Sequence, residues 1–294
     1  MTDTANSERG KKMLRSMYAG ISGMKNFQTK LDVIGNNIAN VNTSGFKKGR
    51  VTFQDMLSQT NAGAQAPTAG RGGINPKQVG LGSQTGSIDN IHTQGFLQTT
   101  NNPLDIAIEG DGFFAVFNGE TINYTRSGNF YLDQDGFIVD ANGNFLLGTA
   151  GNELVNADDG AGPVSGYKMR IPTDAQSFSI GDDGSINVVG SNDNTVLNIG
   201  ISSFSNPSGL EKVGGNLYLD TQNAGHNVAG GNVSFFTPGS AGIGSLVSGT
   251  LEMSNVDLAE EFTEMITAQR AFQANTRIIT TSDEILQELV NLKR

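Results

Sequence analysis

The 294-residue chain has no cysteine, no tryptophan, two histidines and seven prolines. Without thiols, disulfides and thiolate metal sites are excluded outright. The compartment is not settled by this, because a protein that crosses an oxidising space loses nothing by lacking thiols. His92 and His226 lie in Gly-, Asn- and Ser-rich surroundings and in no recognisable catalytic motif. No G-x-x-x-x-G-K-[ST] occurs, which removes a phosphate-cradling loop. No run of 18 apolar residues occurs, so no transmembrane helix or membrane insertion is expected. These absences point away from an enzyme, and neither cofactor nor metal is expected. The opening MTDTANSERGKK has no apolar core and does not read as a signal peptide. Residues 1–12 are expected to be a disordered extension.

Charge is scarce, at 16% of residues, and unevenly spread. Residues 1–87 hold 11 Lys/Arg and 4 Asp/Glu, whereas residues 88–255 hold 4 and 18. An acidic body argues against nucleic acid as a partner. Lys47, Lys48 and Arg50 are too sparse for a nucleic-acid tail and read as a solvated surface or a subunit contact.

Glycine is plentiful, at 39 residues, which suits a β-rich body with many tight turns. From about residue 91 the pattern is β. LDIAIEGDGFFAVF alternates apolar and polar residues, and Asp135-Gly136, Asn142-Gly143 and Asp183-Gly184 separate further β-prone runs. The acidic clusters at Asp133 and Asp140 fail as calcium loops, because neither frame has Gly at its sixth position or an acid at its twelfth. Hairpin turns account for them. Residues 61–90 are rich in Gly, Ala, Gln, Ser and Pro, and cannot build a core.

Two amphipathic stretches flank this body. The first carries Leu14, Met17, Ile21, Met24, Phe27, Leu31, Ile34, Ile38 and Val41 at mostly three- and four-residue steps. It frays into an Asn/Thr/Gly turn that Gly45 can end. The second carries Leu258, Phe262, Met265, Phe272, Ile279, Leu286 and Val290, interrupted by Gln269, Thr276 and Asp283. Those ten positions alternate steps of four and three, the register of a coiled-coil seam. Ser254 or Asn255 is expected as the N-cap, with Asp257, Glu260 and Glu261 favouring the first turns. The two seams are expected to pair with each other and then with neighbouring subunits, since one alone would expose a large apolar stripe.

The predicted fold class is therefore α+β and multidomain. It has paired long terminal helices, coiled-coil-like, a mainly antiparallel β body and an extended Gly-rich arm. The expected divisions are a helical assembly domain from 13–45 with 254–294, and a linker or arm over 46–90. An inner β domain is expected from 91–148 with 223–253, and an outer one over 149–222.

Asn36, Asn37, Asn40, Thr43, Gly45, Phe46 and Lys47, within LDVIGNNIANVNTSGFKK, resemble the N-terminal signature of the bacterial flagellar rod and hook proteins. NPLDIAIEGDGFFAV with YTRSGNFYLDQDG resembles that family's first body segment. EMSNVDLAEEFTEMITAQRAFQANTRIITTSDEILQELVNLKR resembles its C-terminal helix. Three blocks matching in order make the resemblance specific. It implies a homopolymeric tube lined by the paired helices, with the β domains outside. It also implies export without a cleaved leader through the flagellar export apparatus, and a place on the flagellum outside the cell. LDVIGNN and LVNLKR are worded most like the hook members. Hook membership implies a flexible universal joint transmitting torque from rod to filament, with the rod protein, the hook cap and the hook–filament junction proteins as partners. SIGDDGSINV and GLEKVGGNLYLDTQNAG also look like the distal rod members, which is the alternative. An acidic β-rich adhesin or glycan-binding module is a second alternative.

Overall fold

The computed structural model describes residues 2–68, 70–151, 153–158, 163–190, 197–226, 228–229, 232–233, 235–240 and 242–291. It divides into two compact units, each built from separated pieces of chain.

The first unit holds residues 1–39, 49–89 and 257–294. Its frame is helix α1, Thr2–Ala39, and helix α2, Leu258–Asn291. At 38 and 34 residues they are about 57 and 51 Å long at 1.5 Å per residue. Residues 2–12, expected to be disordered, are placed within α1. Ala5, Glu8, Arg9, Lys11 and Lys12 are adequate helix formers, and extending an existing helix costs far less than nucleating one. The N-cap of α2 also differs from expectation. Asp257 takes that place, its carboxylate accepting from the Ala259 and Glu260 amides at 2.8 and 3.4 Å. Ser254 instead caps its own short turn by accepting from Val256 N–H, and Asn255 is committed to the body.

The helices run antiparallel, as their cross-contacts show. Asn37 reaches Glu261, Lys30 pairs with Glu264 at 3.0 Å, and Gly20 lies against Asn275 and Ile279. The segment expected as a linker is β structure. Strand Gly49–Asp55 pairs with Ser83–Asn90, and Ser58–Ala62 pairs antiparallel with Lys77–Gly80 to form a hairpin arm. The base of the arm is tied to α1. Phe53 packs on Phe27 at 5.8 Å between centroids, and the Asn26 amide donates to Ser83 Oγ at 2.9 Å.

The second unit holds residues 40–48 and 90–256. Its main sheet runs Ser177–Ile180, Ser185–Val189, Leu197–Ile199, Phe145–Ala150, Phe113–Phe117, Ile122–Thr125, Leu217–Leu219, Glu211–Gly214, antiparallel throughout that path. The turns at Asp135-Gly136, Asn142-Gly143 and Asp183-Gly184 are closed by backbone hydrogen bonds of 2.9–3.0 Å. The structure does not divide at residues 148/149. Strand Phe145–Ala150 pairs with strands on both sides of that point, and one core joins Ile106, Ile108, Phe114 and Leu246 to Ile180, Ile186 and Leu197. Side chains sharing a core cannot be separated without exposing it.

Candidate assembly site

Within the first unit, close approach of the helices depends on small residues. A Cβ on Gly20 would lie 3.3 Å from Ile279 Cγ1, and one on Gly23 would lie 3.0 Å from Asn275 Nδ2. The buried positions of α2 include Glu261, Ala268 and Ser282, with half-buried Asn275 in the same seven-residue register. Met265, Phe272, Ile279 and Leu286 stand four residues further on and are half-buried. This interleaved pair of rows is the a/d face that meets α1.

The other half of the expected seam is turned out. Leu258, Phe262 and Val290 are exposed, the last two at 49% and 66%. Ile266, Ile278 and Ile285 lie exposed on α2 as well, and Tyr18 on α1. On α1, Ile34 is buried, while Met17, Ile21, Met24, Phe27, Leu31, Ile38 and Val41 are half-buried. Leu14 falls on the helix, but its side chain lies outside the described residues. Thus the structure brings one row of the second seam to the first and leaves the other row bare. Sequence reading merged the two rows because both have the spacing of a seam, and it passed over Gly20 and Gly23 because they are not apolar anchors.

The signature residues divide between two tasks. Asn37 is buried at the end of α1 and acts as a backbone mimic. Its amide oxygen accepts from Gly49 N–H, and its amide nitrogen donates to Gly49 C=O, both at 2.9 Å. The same nitrogen donates to Glu261 Oε2 at 3.2 Å. One side chain therefore ties the first helix to the second and to the strand that follows. Asn36 is exposed.

After Ala39 the chain makes a turn that belongs to the second unit. Thr43 donates from its amide and its hydroxyl to Asn40, both at 3.2 Å. Gly45 has φ +69°, and a Cβ there would sit 2.5 Å from Ser127 N, so only glycine fits. Gly45 N–H donates to Glu252 C=O at 2.8 Å. The Phe46 ring lies under Lys212 Nζ at 4.7 Å.

Lys47, expected on a solvated surface or at a subunit contact, instead enters the body, its side chain wholly buried. Its ammonium donates to Glu252 Oε1 and to Thr93 C=O, the latter at 2.8 Å. Arg126 Nη1 meets the other oxygen of Glu252 at 3.2 Å, and Arg126 Nη2 donates to Gly110 C=O at 2.8 Å. Burial pulls the Lys47 pKa below the usual lysine range, and Glu252 opposes the shift. Lys48 completes the attachment: its amide donates to Asn255 Oδ1 and its carbonyl accepts from Ile91 N–H, at 2.8 and 2.9 Å. Glu252, Arg126 and Asn255 escaped the sequence reading. A signal existed: Glu252 is the sole acid between Asp220 and Asp257, and Arg126 the sole Lys or Arg between Lys77 and Lys168. Isolated charges in apolar surroundings are paired when buried.

Within the second unit these contacts fasten residues 45–48 to the body through a buried charge cluster and backbone hydrogen bonds. Three family descriptions match the chain in order. They are "Flagella basal body rod protein" over residues 17–47, "Flagellar hook protein FlgE/F/G D1 domain" over 107–188, and "Flagellar basal body rod FlgEFG protein C-terminal" over 247–292. The flagellar basal-body rod protein FlgG of Bacillus subtilis is 56% identical over 284 residues, covering 96% of this chain and 100% of that protein. The rod protein FlgG of Borreliella burgdorferi is 37% identical over 290 residues, covering 96% and 100%. The flagellar hook protein FlgE of the same organism is 32% identical over an alignment of 447 residues, again covering 96% and 100%.

Proposed function

This chain belongs to the bacterial flagellar rod and hook axial proteins, and from that premise we propose that it is a distal rod subunit of the flagellar basal body. One observation carries the choice. The Bacillus subtilis rod protein aligns over its whole length within 284 residues, whereas alignment with the Borreliella burgdorferi hook protein needs 447. The chain is thus rod-sized, and the hook reading drawn from LDVIGNN and LVNLKR gives way. Those motifs lie towards the two ends of the chain and do not register the size of the body.

The subunit is a structural element rather than an enzyme. Copies stack head to tail through contacts that do not close, which generates a helical tube. The exposed apolar residues of α2, Leu258, Phe262, Ile266, Ile278, Ile285 and Val290, which flank the face that meets α1, are the surface that neighbouring helices cover. With Leu14, Met17, Ile21 and the rest of the first seam, it forms the inner layer. Partners on this reading are other copies of the chain, adjoining rod and hook subunits, and the flagellar export apparatus. The hook cap and hook–filament junction partners belonged to the hook reading and are not carried over.

Electron microscopy of the purified protein under polymerising conditions tests the proposal. Straight tubes are expected; tubes that curve or supercoil would return the chain to the hook class, and no tubes would remove the axial role.

A further inference from the structure

The segment 91–93 is the rail on which the signature turn is held. Ile91 N–H donates to Lys48 C=O, and Thr93 C=O accepts from Lys47 Nζ. Asn255 grips the same segment, its amide donating to Ile91 C=O at 2.8 Å and Thr93 Oγ1 at 2.9 Å, while its oxygen accepts from Lys48 N–H. His92 lies in the middle of this rail. Its ring is wedged edge-on between Phe113 at 5.6 Å and Tyr218 at 5.5 Å. Both ring nitrogens are buried and lack a hydrogen-bond partner among the described residues. A neutral imidazole tolerates this site poorly, and an imidazolium worse, because nothing there accepts its two protons.

The surrounding charge has the same sign as that proton. Lys47 arrives from the turn, Arg126 follows strand Ile122–Thr125, and Lys212 lies on strand Glu211–Gly214. The carboxylate opposing them is Glu252, already engaged by Lys47 and Arg126, with Asp111 acting on Lys47 from the loop before Phe113. Tyr218 contributes no charge, since burial raises its phenol pKa.

We propose that His92 makes the attachment of residues 40–48 acid-sensitive: a proton on this ring expels it from the rail and releases the signature turn from the body. The device is distinct from tube formation, because it acts on one subunit and uses none of the bare helix face. Burial, then the charges of Lys47, Arg126 and Lys212, lower the His92 pKa to about 4 from an ordinary 6.5. The attached state therefore binds fewer protons than the released state. Attachment is at full strength above pH 6.5 and weakens as pH falls from there towards 4. Each pH unit in that window raises the released fraction about tenfold.

Two measurements on the full-length monomer test this. Amide exchange by mass spectrometry, corrected for intrinsic rates, follows residues 40–48 and strand Phe113–Phe117 from pH 7.5 to 4. The turn is expected to lose protection in acid while the strand keeps it. His92→Phe and His92→Gln are expected to flatten the turn's profile. An unchanged profile in a folded variant, or joint loss of protection in turn and strand, would overturn the proposal. Independently, NMR titration of the two histidines in the unmodified chain reads the ring itself. His92 is expected to stay neutral well below pH 6, and titration near 6.5 would overturn the proposal without any variant.

Discussion

Lys47, Arg126 and Glu252 reach one buried point from residues separated by 79 and 126 positions, so the contact forms only when most of the chain is present. A buried ion cluster is a poor source of net stability but is costly to break, because the remaining charge is stranded. Lys47→Met leaves Glu252 with Arg126 as its partner, whereas Glu252→Gln leaves two cations facing each other. Both are expected to destabilise the body, by about 3–5 kcal/mol for Glu252→Gln and less for Lys47→Met. Urea unfolding of the two variants checks the order, and the reverse order would mean that the cluster is not balanced as described. Gly45→Ala adds a left-handed strain of about 1 kcal/mol to a collision with the Ser127 backbone. It is expected to cost more than that strain, read as a lower unfolding midpoint.

At the scale of elements, the two rows of α2 make separable predictions. Phe262→Asp changes an exposed residue and is expected to alter monomer stability by less than about 0.5 kcal/mol while blocking polymerisation. Ile34→Asp places a charge in a buried site of α1 and is expected to cost several kcal/mol in the monomer itself. Sedimentation under polymerising conditions, beside thermal unfolding of the monomer, separates the two effects. If Phe262→Asp still assembles, the bare row is not the contact between copies. Gly23→Leu tests the helix pair differently. Its side chain would have to displace Asn275, an overpacking cost of about 1–3 kcal/mol that should appear as faster amide exchange in both helices.

At the scale of the molecule, the hairpin Ser58–Ala62 with Lys77–Gly80 is exposed along both strands, and a two-stranded hairpin is marginal by itself. It contributes no residue to the second unit. Replacing residues 58–80 by a short turn is therefore expected to leave the body's melting temperature unchanged. Any effect should appear in the assembled tube, as a change in stiffness seen in its curvature by microscopy. A tube of unaltered curvature and persistence length would exclude the arm from the mechanics.

Some of these features follow from local chemistry and others from contacts between distant residues. The two terminal helices, the hairpin turns at Asp135, Asn142 and Asp183, and the family itself are legible because periodicity, turn propensity and motif order are properties of consecutive residues. The extent of α1 before residue 13 was hidden, because residues 2–12 have no apolar periodicity and are helical as the extension of an adjoining helix. Which row of α2 meets α1 could not be read, because both rows share one spacing and small residues on the facing helix decide between them. Nor could the single body core, which depends on strand Phe145–Ala150 pairing in both directions. The pairing within the buried triad was beyond reach for the same reason, although the isolation of Glu252 and Arg126 along the chain was visible. Lys47 was visible as part of a turn, but its partners are brought to it by the folded sheet, and burial alone converts three scattered charges into a joint.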